Sequence, residues 1–99
     1  MAVLAIITGE GITQQIYDHI RSEVDWVNHQ PQGAIMHIAA FDGSMARVAD
    51  VWESEAELNN FMQTRLAPVM IKHNYPIPQV VIYPIHNIDA FAAVGAMVR

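Results

Sequence analysis

An uninterrupted apolar stretch near the N-terminus is the feature that most constrains the fold of this chain. Residues 2–8 read AVLAIIT and are bounded by Gly9 and Gly11. A strand that is exposed on one face alternates apolar and polar residues, whereas a strand that is buried on both faces is apolar throughout. We therefore predict that this stretch is a strand at the centre of a sheet.

The next segments predict an amphipathic helix followed by a β-hairpin. Thr13 can cap a helix over about residues 13–27, because apolar side chains recur there at helical spacing. An apolar strand at residues 34–41 and a second strand at residues 45–52 flank a turn signal around Gly43. The two strands are therefore expected to pair as antiparallel neighbours.

The second half of the chain supplies another helix and a last strand. Ser54 and Glu57 match a capping box, so a helix should begin at Ser54. Pro68 should kink this helix or separate its last turn. The last predicted strand covers residues 79–85, and Pro84, which lacks an amide proton, places this strand at a sheet edge or ends it.

These elements predict one α+β domain over residues 1–99, with the order β-α-β-β-α-β of a ferredoxin-like fold. Its four-stranded antiparallel sheet has the first and third strands in the centre, and two helices cover one face. The other face is too apolar for water, so we expect a homodimer, which makes the fold a dimeric α/β barrel. The core should span about residues 2–86, and the apolar tail at 87–99 should dock onto the partner or over the mouth of a cavity.

Composition narrows the classes of function. The chain is 53% apolar and only 15% charged, compared with a charged share of about 25% in average proteins. A net charge of −5 with scattered Lys and Arg residues argues against binding to nucleic acid. The absence of cysteine removes disulfides and thiolate nucleophiles. The apolar N-terminus is too short to span a membrane and lacks signal-peptide features, so we expect no membrane association and a cytoplasmic location.

The hairpin supplies the candidate catalytic residues. A turn of two or four residues at Gly43 places His37 and Asp50 on the same face of the sheet. A histidine beside a carboxylate in apolar surroundings can act as a base near neutral pH. A polar pair that only stabilises the sheet is an equally good interpretation, and a three-residue turn would separate the two side chains.

A cavity between sheet and helices is the expected place for a substrate, and its candidate contacts are Tyr17, Trp52, Phe61 and His86. Tyr17 lies on the apolar side of the first helix, so its hydroxyl needs a partner or a cavity. Trp52 and Phe61 can equally be core aromatics, and His86 is selected only by its position after the last strand. The histidines lack HxH and HxxxH spacings and no nucleotide or phosphate motif occurs, so neither a metal site nor a cofactor is predicted.

Part of the chain resembles a known family. The phrase DVWESEAELNNF, in which Asp50, Trp52 and Ser54 precede a helix that carries Phe61, is similar to a phrase in the dimeric α/β barrel superfamily. The resemblance is greatest to small proteins related to antibiotic biosynthesis monooxygenases. The order of elements extends it over about residues 2–86.

The resemblance implies a cofactor-independent, monooxygenase-like enzyme that acts on a small apolar or aromatic molecule in a dry pocket. His37 with Asp50 can supply a base and Tyr17 a hydrogen-bond donor, although the resemblance itself does not assign these roles. Heme-degrading members carry a tryptophan and a histidine on the second helix where this chain has Phe61 and Ile71, which argues against heme degradation. The superfamily also has members without established activity, so a non-catalytic small-molecule-binding or stress-associated interaction module is the alternative.

Overall fold

A computed structural model describes residues 1–98 of the chain. Strands and helices follow one another in the predicted order, and the second helical run is divided into three parts. The bounds are β1 Val3–Glu10, α1 Gln14–Val24, β2 Ala34–Asp42, β3 Met45–Trp52, α2 Glu55–Phe61, a π-helical segment Met62–Leu66, α3 Ala67–Lys72, β4 Gln79–Pro84 and a 3₁₀ turn Ala92–Ala96.

The four strands form one antiparallel sheet in the order β2-β3-β1-β4. β1 and β3 are therefore central, while β2 and β4 are the edges, which confirms the predicted α+β, ferredoxin-like class. Pro84 ends β4 at an edge, where a missing amide proton does not interrupt the sheet.

Both helical runs pack against one face of the sheet, which we term the inner face. Ala5 on β1 and Trp52 on β3 belong to the same buried cluster as Leu58 on α2. Leu58 is only 1% exposed and Ala5 is completely inaccessible, so the centre of the inner face lies deep in the core. Burial of this apolar surface is the main source of stability in a fold of this kind.

Both predicted helix starts are confirmed by side-chain caps. The Ile16 amide donates a hydrogen bond of 3.2 Å to the hydroxyl of Thr13, just before α1. The Glu57 amide donates one of 3.1 Å to the hydroxyl of Ser54, just before α2. Each cap satisfies an amide that has no partner within its own helix, which fixes where the helix begins.

Pro68 affects the second helical run through a π turn. Proline has no amide proton, and its ring clashes with the carbonyl group four residues earlier, which here belongs to Thr64. The Ala67 amide donates to the carbonyl of Met62, five residues earlier, so the backbone widens before the proline. α3 is thus the separated last portion that Pro68 predicts.

The opposite face of the sheet, the outer face, is uncovered and arranged in rows across all four strands. Each row contains one residue from every strand, and strand pairing places their side chains next to one another. Two rows are apolar: Ile38, Ala49, Ile6 and Val81 form one, and Met36, Val51, Leu4 and Tyr83 form the other. A third row is mostly polar and contains Ala40, Arg47, Thr8 and Gln79.

The hairpin has the two-residue turn on which the inner-face pairing depends. Asp42 pairs with Met45, which leaves Gly43 and Ser44 as the turn. Gly43 has a φ of 60°, a left-handed conformation that glycine adopts without steric cost. A β-bulge between Ala34 and Met36 shifts the register near the start of β2, so the residue between them is an extra one on that strand.

The tail after β4 is exposed along most of its length, including Phe91 and Met97 at 77% and 80%. Val98, also in the tail, contributes to the wall of the cavity described below. Within residues 1–98, no helix combines the length and the apolar character that a membrane span requires.

Candidate functional site

A cavity of about 430 Å³ lies between the inner face of the sheet and the helices. Its volume is in the range of pockets that hold small organic molecules. β1, β3, both helical runs and the π segment contribute apolar side chains to its wall: Ile7, Val48, Ile20, Phe61, Leu66 and Met70. The few polar side chains at this wall include Tyr17, His37 and Asp50, which we term the cavity triad.

The cavity triad is connected by two short hydrogen bonds. His37 Nδ1 lies 2.6 Å from Asp50 Oδ1, and His37 Nε2 lies 2.6 Å from the hydroxyl of Tyr17. The other carboxylate oxygen, Asp50 Oδ2, accepts a bond of 3.1 Å from the Trp52 indole. Both oxygens of this nearly inaccessible carboxylate are therefore bonded to protein donors, as buried polar groups require.

These partners define the tautomer of His37. A carboxylate accepts hydrogen bonds, so the proton between Asp50 and His37 lies on Nδ1. In a neutral imidazole Nε2 is then the acceptor, and the Tyr17 hydroxyl donates to it. The nitrogen of His37 that carries the lone pair, Nε2, thus faces the Tyr17 hydroxyl.

Local sequence explains how these side chains come together. His37 and Asp50 are direct cross-strand partners, which confirms the prediction made from the hairpin. Asp50 and Trp52 are two residues apart on β3, so both point to the inner face. Tyr17 lies on the buried side of α1, and its ring is parallel to that of His37 with 5.9 Å between the centroids.

Phe61 and Trp52 both line the cavity, and their rings are 5.4 Å apart. The guanidinium of Arg65 lies 5.4 Å from the centre of the Phe61 ring. Arg65 also donates a hydrogen bond of 3.0 Å to the carbonyl of Val24, in the last turn of α1. This contact ties the second helical run to α1 beside the cavity and holds the Phe61 ring in place.

One aromatic residue of the wall was not predicted from the sequence, and one predicted ligand contact lies elsewhere. Trp26, just after α1, borders the cavity with its ring 5.1 Å from that of His37. Trp26 lies two residues after the last residue of α1, and it is not part of the apolar spacing that predicted this helix. His86 is exposed after β4 and does not belong to the cavity wall, so its contact with a ligand stays a prediction.

A second group of polar side chains, the surface cluster, lies where α1 meets the end of α3. It consists of His19, Glu23, His73 and Tyr75. His19 Nδ1 is 2.6 Å from the Tyr75 hydroxyl, and His73 Nε2 is 2.7 Å from Glu23 Oε1. The hydrogen bond from His73 lowers the pKa of the Glu23 carboxyl, against the opposing effect of its partial desolvation. His19 and Glu23 are four residues apart, which places both on the same side of α1, so this half of the cluster could be predicted from the sequence.

Comparison with known proteins gives matches in structure but not in sequence. No family model matches the chain, and no curated protein is significantly similar to it. NE2512 from Nitrosomonas europaea, a protein of unknown function, is 16% identical with a TM-score of 0.70, over 92% of this chain and 95% of that one.

Two further structures carry a functional description. SnoaB from Streptomyces nogalater, a cofactor-independent oxygenase, is 6% identical with a TM-score of 0.63, over 88% of this chain and 94% of SnoaB. A candidate antibiotic biosynthesis monooxygenase from Deinococcus radiodurans is 10% identical with a TM-score of 0.57, over 92% of this chain and 98% of its own. At such low identities the likeness is one of fold, because one fold can carry many functions. The resemblance expected from the sequence is thereby confirmed: the chain has the ferredoxin-like fold of antibiotic biosynthesis monooxygenase-like proteins.

Proposed function

We propose that this chain binds a small, electron-rich aromatic molecule with an ionisable hydroxyl group and promotes its reaction with O₂ without a cofactor. The observation that carries this proposal is the position of His37, held between Asp50 and Tyr17 at the wall of an apolar cavity. The fold likeness to a cofactor-independent oxygenase supports the same function.

The cavity triad is suited to move a proton away from such a substrate. A substrate hydroxyl that donates to the Tyr17 oxygen can pass its proton to Tyr17 while Tyr17 passes its own to His37 Nε2. The imidazolium that results lies beside Asp50, which stabilises the positive charge. The side chain of Asp50 is 8% exposed and that of His37 is 33% exposed, so the carboxylate is shielded from water while the imidazole is shielded only in part.

Deprotonation prepares the substrate for oxygen because the anion is a better electron donor than the neutral molecule. For a phenol with hydrogen on its para carbon, the complete reaction consumes one O₂ and gives a quinone and one water. One oxygen atom enters the quinone, and the other leaves as water with the two hydrogens that the phenol loses. The electrons come from the substrate, so the protein has only to bind it, move its proton and exclude bulk water.

The alternative is a protein that binds a small molecule without converting it. It is favoured by the complete pairing of His37, since both imidazole nitrogens and both oxygens of Asp50 already have protein partners. Such a network can serve only to join β2, β3 and α1. The two functions share the cavity and differ in whether O₂ is consumed.

The test combines ligand titration with oxygen measurement on the full chain. Both tryptophans of the sequence, Trp26 and Trp52, line the cavity, so a bound phenol should change the tryptophan fluorescence. We expect at least one of a panel of mono- and polycyclic phenols to bind and to be oxidised, with O₂ uptake followed at an oxygen electrode. His37→Ala should reduce the rate of O₂ uptake at least a hundredfold, the lower end of a typical general-base contribution of about 10²–10⁴.

His29→Ala is the matched control. His29 also contacts a carboxylate, that of Asp25 at 3.0 Å, but it is on the surface and is not one of the residues that line the cavity. Unchanged O₂ uptake in a folded His37→Ala variant would refute the proposed base. Binding without any O₂ uptake would select the non-catalytic alternative, and absence of binding across the panel would refute both.

We further propose that two copies associate through the outer face, as the barrel arrangement requires. The two apolar rows leave Ile6, Ile38, Val81 and Tyr83 between 39% and 54% exposed, and a contiguous apolar patch of this kind favours association. Ile6→Lys in the central apolar row should convert a dimer to a monomer in sedimentation experiments. Gln79→Lys, in the polar row, is the control and should leave the dimer intact. A wild-type monomer at micromolar concentration would refute this interface.

A further inference from the structure

The surface cluster brings together donor atoms that the cavity chemistry does not use. His19 and Glu23 are one helical turn apart on α1, and His73 directly follows α3. Glu23 Oε1 lies 3.3 Å from His19 Nε2 and 2.7 Å from His73 Nε2. Three possible ligand atoms are thus within 4.8 Å of one another on the surface.

Two imidazole nitrogens and one carboxylate oxygen form a donor set that suits zinc. Zn²⁺ binds such atoms at about 2.0–2.2 Å in a tetrahedron, so that neighbouring ligand atoms are about 3.3–3.5 Å apart. The contact between His19 and Glu23 already has this length, and the contact of His73 needs to lengthen by roughly 0.6 Å. Magnesium and calcium fit less well, because both prefer oxygen ligands.

Tyr75 provides a second observation that points to a metal. Its hydroxyl lies 2.6 Å from His19 Nδ1, the ring nitrogen that faces away from Glu23. Histidine ligands in metal sites almost always donate their other ring N–H to an outer acceptor, which fixes the ring orientation. The Tyr75 hydroxyl oxygen is placed to accept from Nδ1 of His19 in this way. Tyr75 is itself held in place, since its amide donates to the Met70 carbonyl and its ring stacks on His73.

Lys72 also contacts Glu23, but it leaves accessible the carboxylate oxygen that both histidines contact. Lys72 Nζ is 3.4 Å from Glu23 Oε2, the carboxylate oxygen that does not contact the histidines. Glu23 Oε1 can therefore bind a cation while Oε2 keeps its contact with Lys72. The ammonium group lowers the affinity for a divalent cation, so removing it should strengthen the site.

We propose that His19, Glu23 and His73 bind one Zn²⁺ per chain, with the fourth tetrahedral position occupied by water. Tyr75 acts as a positioning residue for His19. The site is independent of the proposed oxygenase function, because its ligands lie outside the cavity wall. Since α1 and α3 both border the cavity, a metal ion here joins two parts of its helical wall and stabilises their packing.

The experiment is a zinc titration of the untagged full chain after dialysis against a chelator, by calorimetry or by competition with a chromogenic chelator. We expect one equivalent of Zn²⁺ to bind, and His19→Ala and His73→Ala each to weaken binding at least tenfold. Tyr75→Phe should weaken binding by a smaller factor and leave the stoichiometry unchanged, and Lys72→Ala should strengthen it. Zn²⁺ should raise the thermal midpoint of the wild type and not that of His19→Ala or His73→Ala.

His29→Ala is the matched control, because it removes a surface histidine that has one carboxylate neighbour but no second histidine nearby. This variant should bind zinc as the wild type does. The variants at exposed positions can be checked for folding by circular dichroism before zinc is added. The site would be refuted if the double variant His19→Ala, His73→Ala bound zinc as tightly as the wild type, or if His29→Ala lost as much affinity as His73→Ala.

Discussion

Two arrangements of tyrosine, histidine and carboxylate occur in this molecule, the cavity triad and the surface cluster. In both, a tyrosine hydroxyl lies 2.6 Å from an imidazole nitrogen, and the other nitrogen of that ring faces a carboxylate. They differ in burial. The side chain of Asp50 is 8% exposed, whereas that of Glu23 is 28% exposed.

The difference in burial affects how readily water or a ligand can replace the hydrogen bonds of each carboxylate. The Asp50 carboxylate is bonded by two protein donors away from water, so its hydrogen bonds are strong and costly to break. The Glu23 carboxylate shares one oxygen between two imidazoles in contact with solvent, where water or a cation can replace either partner. Tyrosine, histidine and a carboxylate thus form a shielded network in one place and a solvent-exposed network in the other, which is why we propose proton transfer for the first and metal binding for the second.

The largest expected effect is that of Asp50→Ala. Removal of this carboxylate leaves the Trp52 indole and His37 Nδ1 without their acceptor, which should lower the free energy of unfolding by about 1–3 kcal/mol. Urea unfolding measures the change. Glu23→Ala is the parallel substitution in the surface cluster and should have a much smaller effect, because water can solvate the histidines that it exposes. Equal losses of unfolding free energy in the two variants would contradict the different burial of the two carboxylates.

Tyr17→Phe should have an intermediate effect. The variant removes the donor to His37 Nε2 in a partly buried site, and we expect a loss of about 0.5–1.5 kcal/mol in thermal or urea unfolding. It should also lower O₂ uptake with any phenol that the wild type oxidises. Tyr75→Phe, which removes the corresponding hydroxyl of the surface cluster, should affect neither quantity to the same extent. A Tyr17→Phe variant with wild-type O₂ uptake would argue against the relay through this hydroxyl.

The smallest expected effect is a change in the pKa of the Glu23 carboxyl in the metal-free protein. The His73 hydrogen bond holds the pKa of Glu23 below its ordinary value, so the ionised carboxylate stabilises the fold above the unfolded-state pKa. That contribution is lost as the pH falls through the folded-state pKa. His73→Ala should raise the pKa of Glu23 toward its ordinary value, as measured by nuclear magnetic resonance titration of the side-chain carboxyl. An unchanged pKa would show that the two side chains do not interact in solution.

The comparison also explains which contacts could be predicted from sequence. His37 and Asp50 belong to one hairpin, and the alternation of side chains along its two strands places them on the same face once the turn length is known. Trp52 joins them because it lies two residues further along β3. Helix starts were predictable for the same reason, since each depends on a pattern within a few residues. Strand order was predictable from the continuous apolarity of β1, which favours a central position, and from Pro84, which favours an edge for β4.

Contacts between distant segments were not predictable in this way. His19 and His73 meet because α1 packs beside α3, and no local pattern sets the rotation of one helix relative to the other. Trp26 reaches the cavity from an irregular segment, where side-chain direction does not follow a period. The structure thus adds the contacts that depend on helix packing and on irregular segments.

The π turn at residues 62–66 has a consequence for insertions and deletions in this region. A π turn holds about one residue more than the α-helical turn that it replaces, and one residue corresponds to a rotation of about 100° around the helix axis. Deletion of one residue within this turn can therefore be absorbed by its conversion to an α-helical turn, so that Val69 and Met70 stay in the core and His73 stays beside His19. The cost would be the clash of the Pro68 ring with the carbonyl four residues earlier. Deletion of one residue within α3, which has no extra residue, would instead turn His73 away from His19.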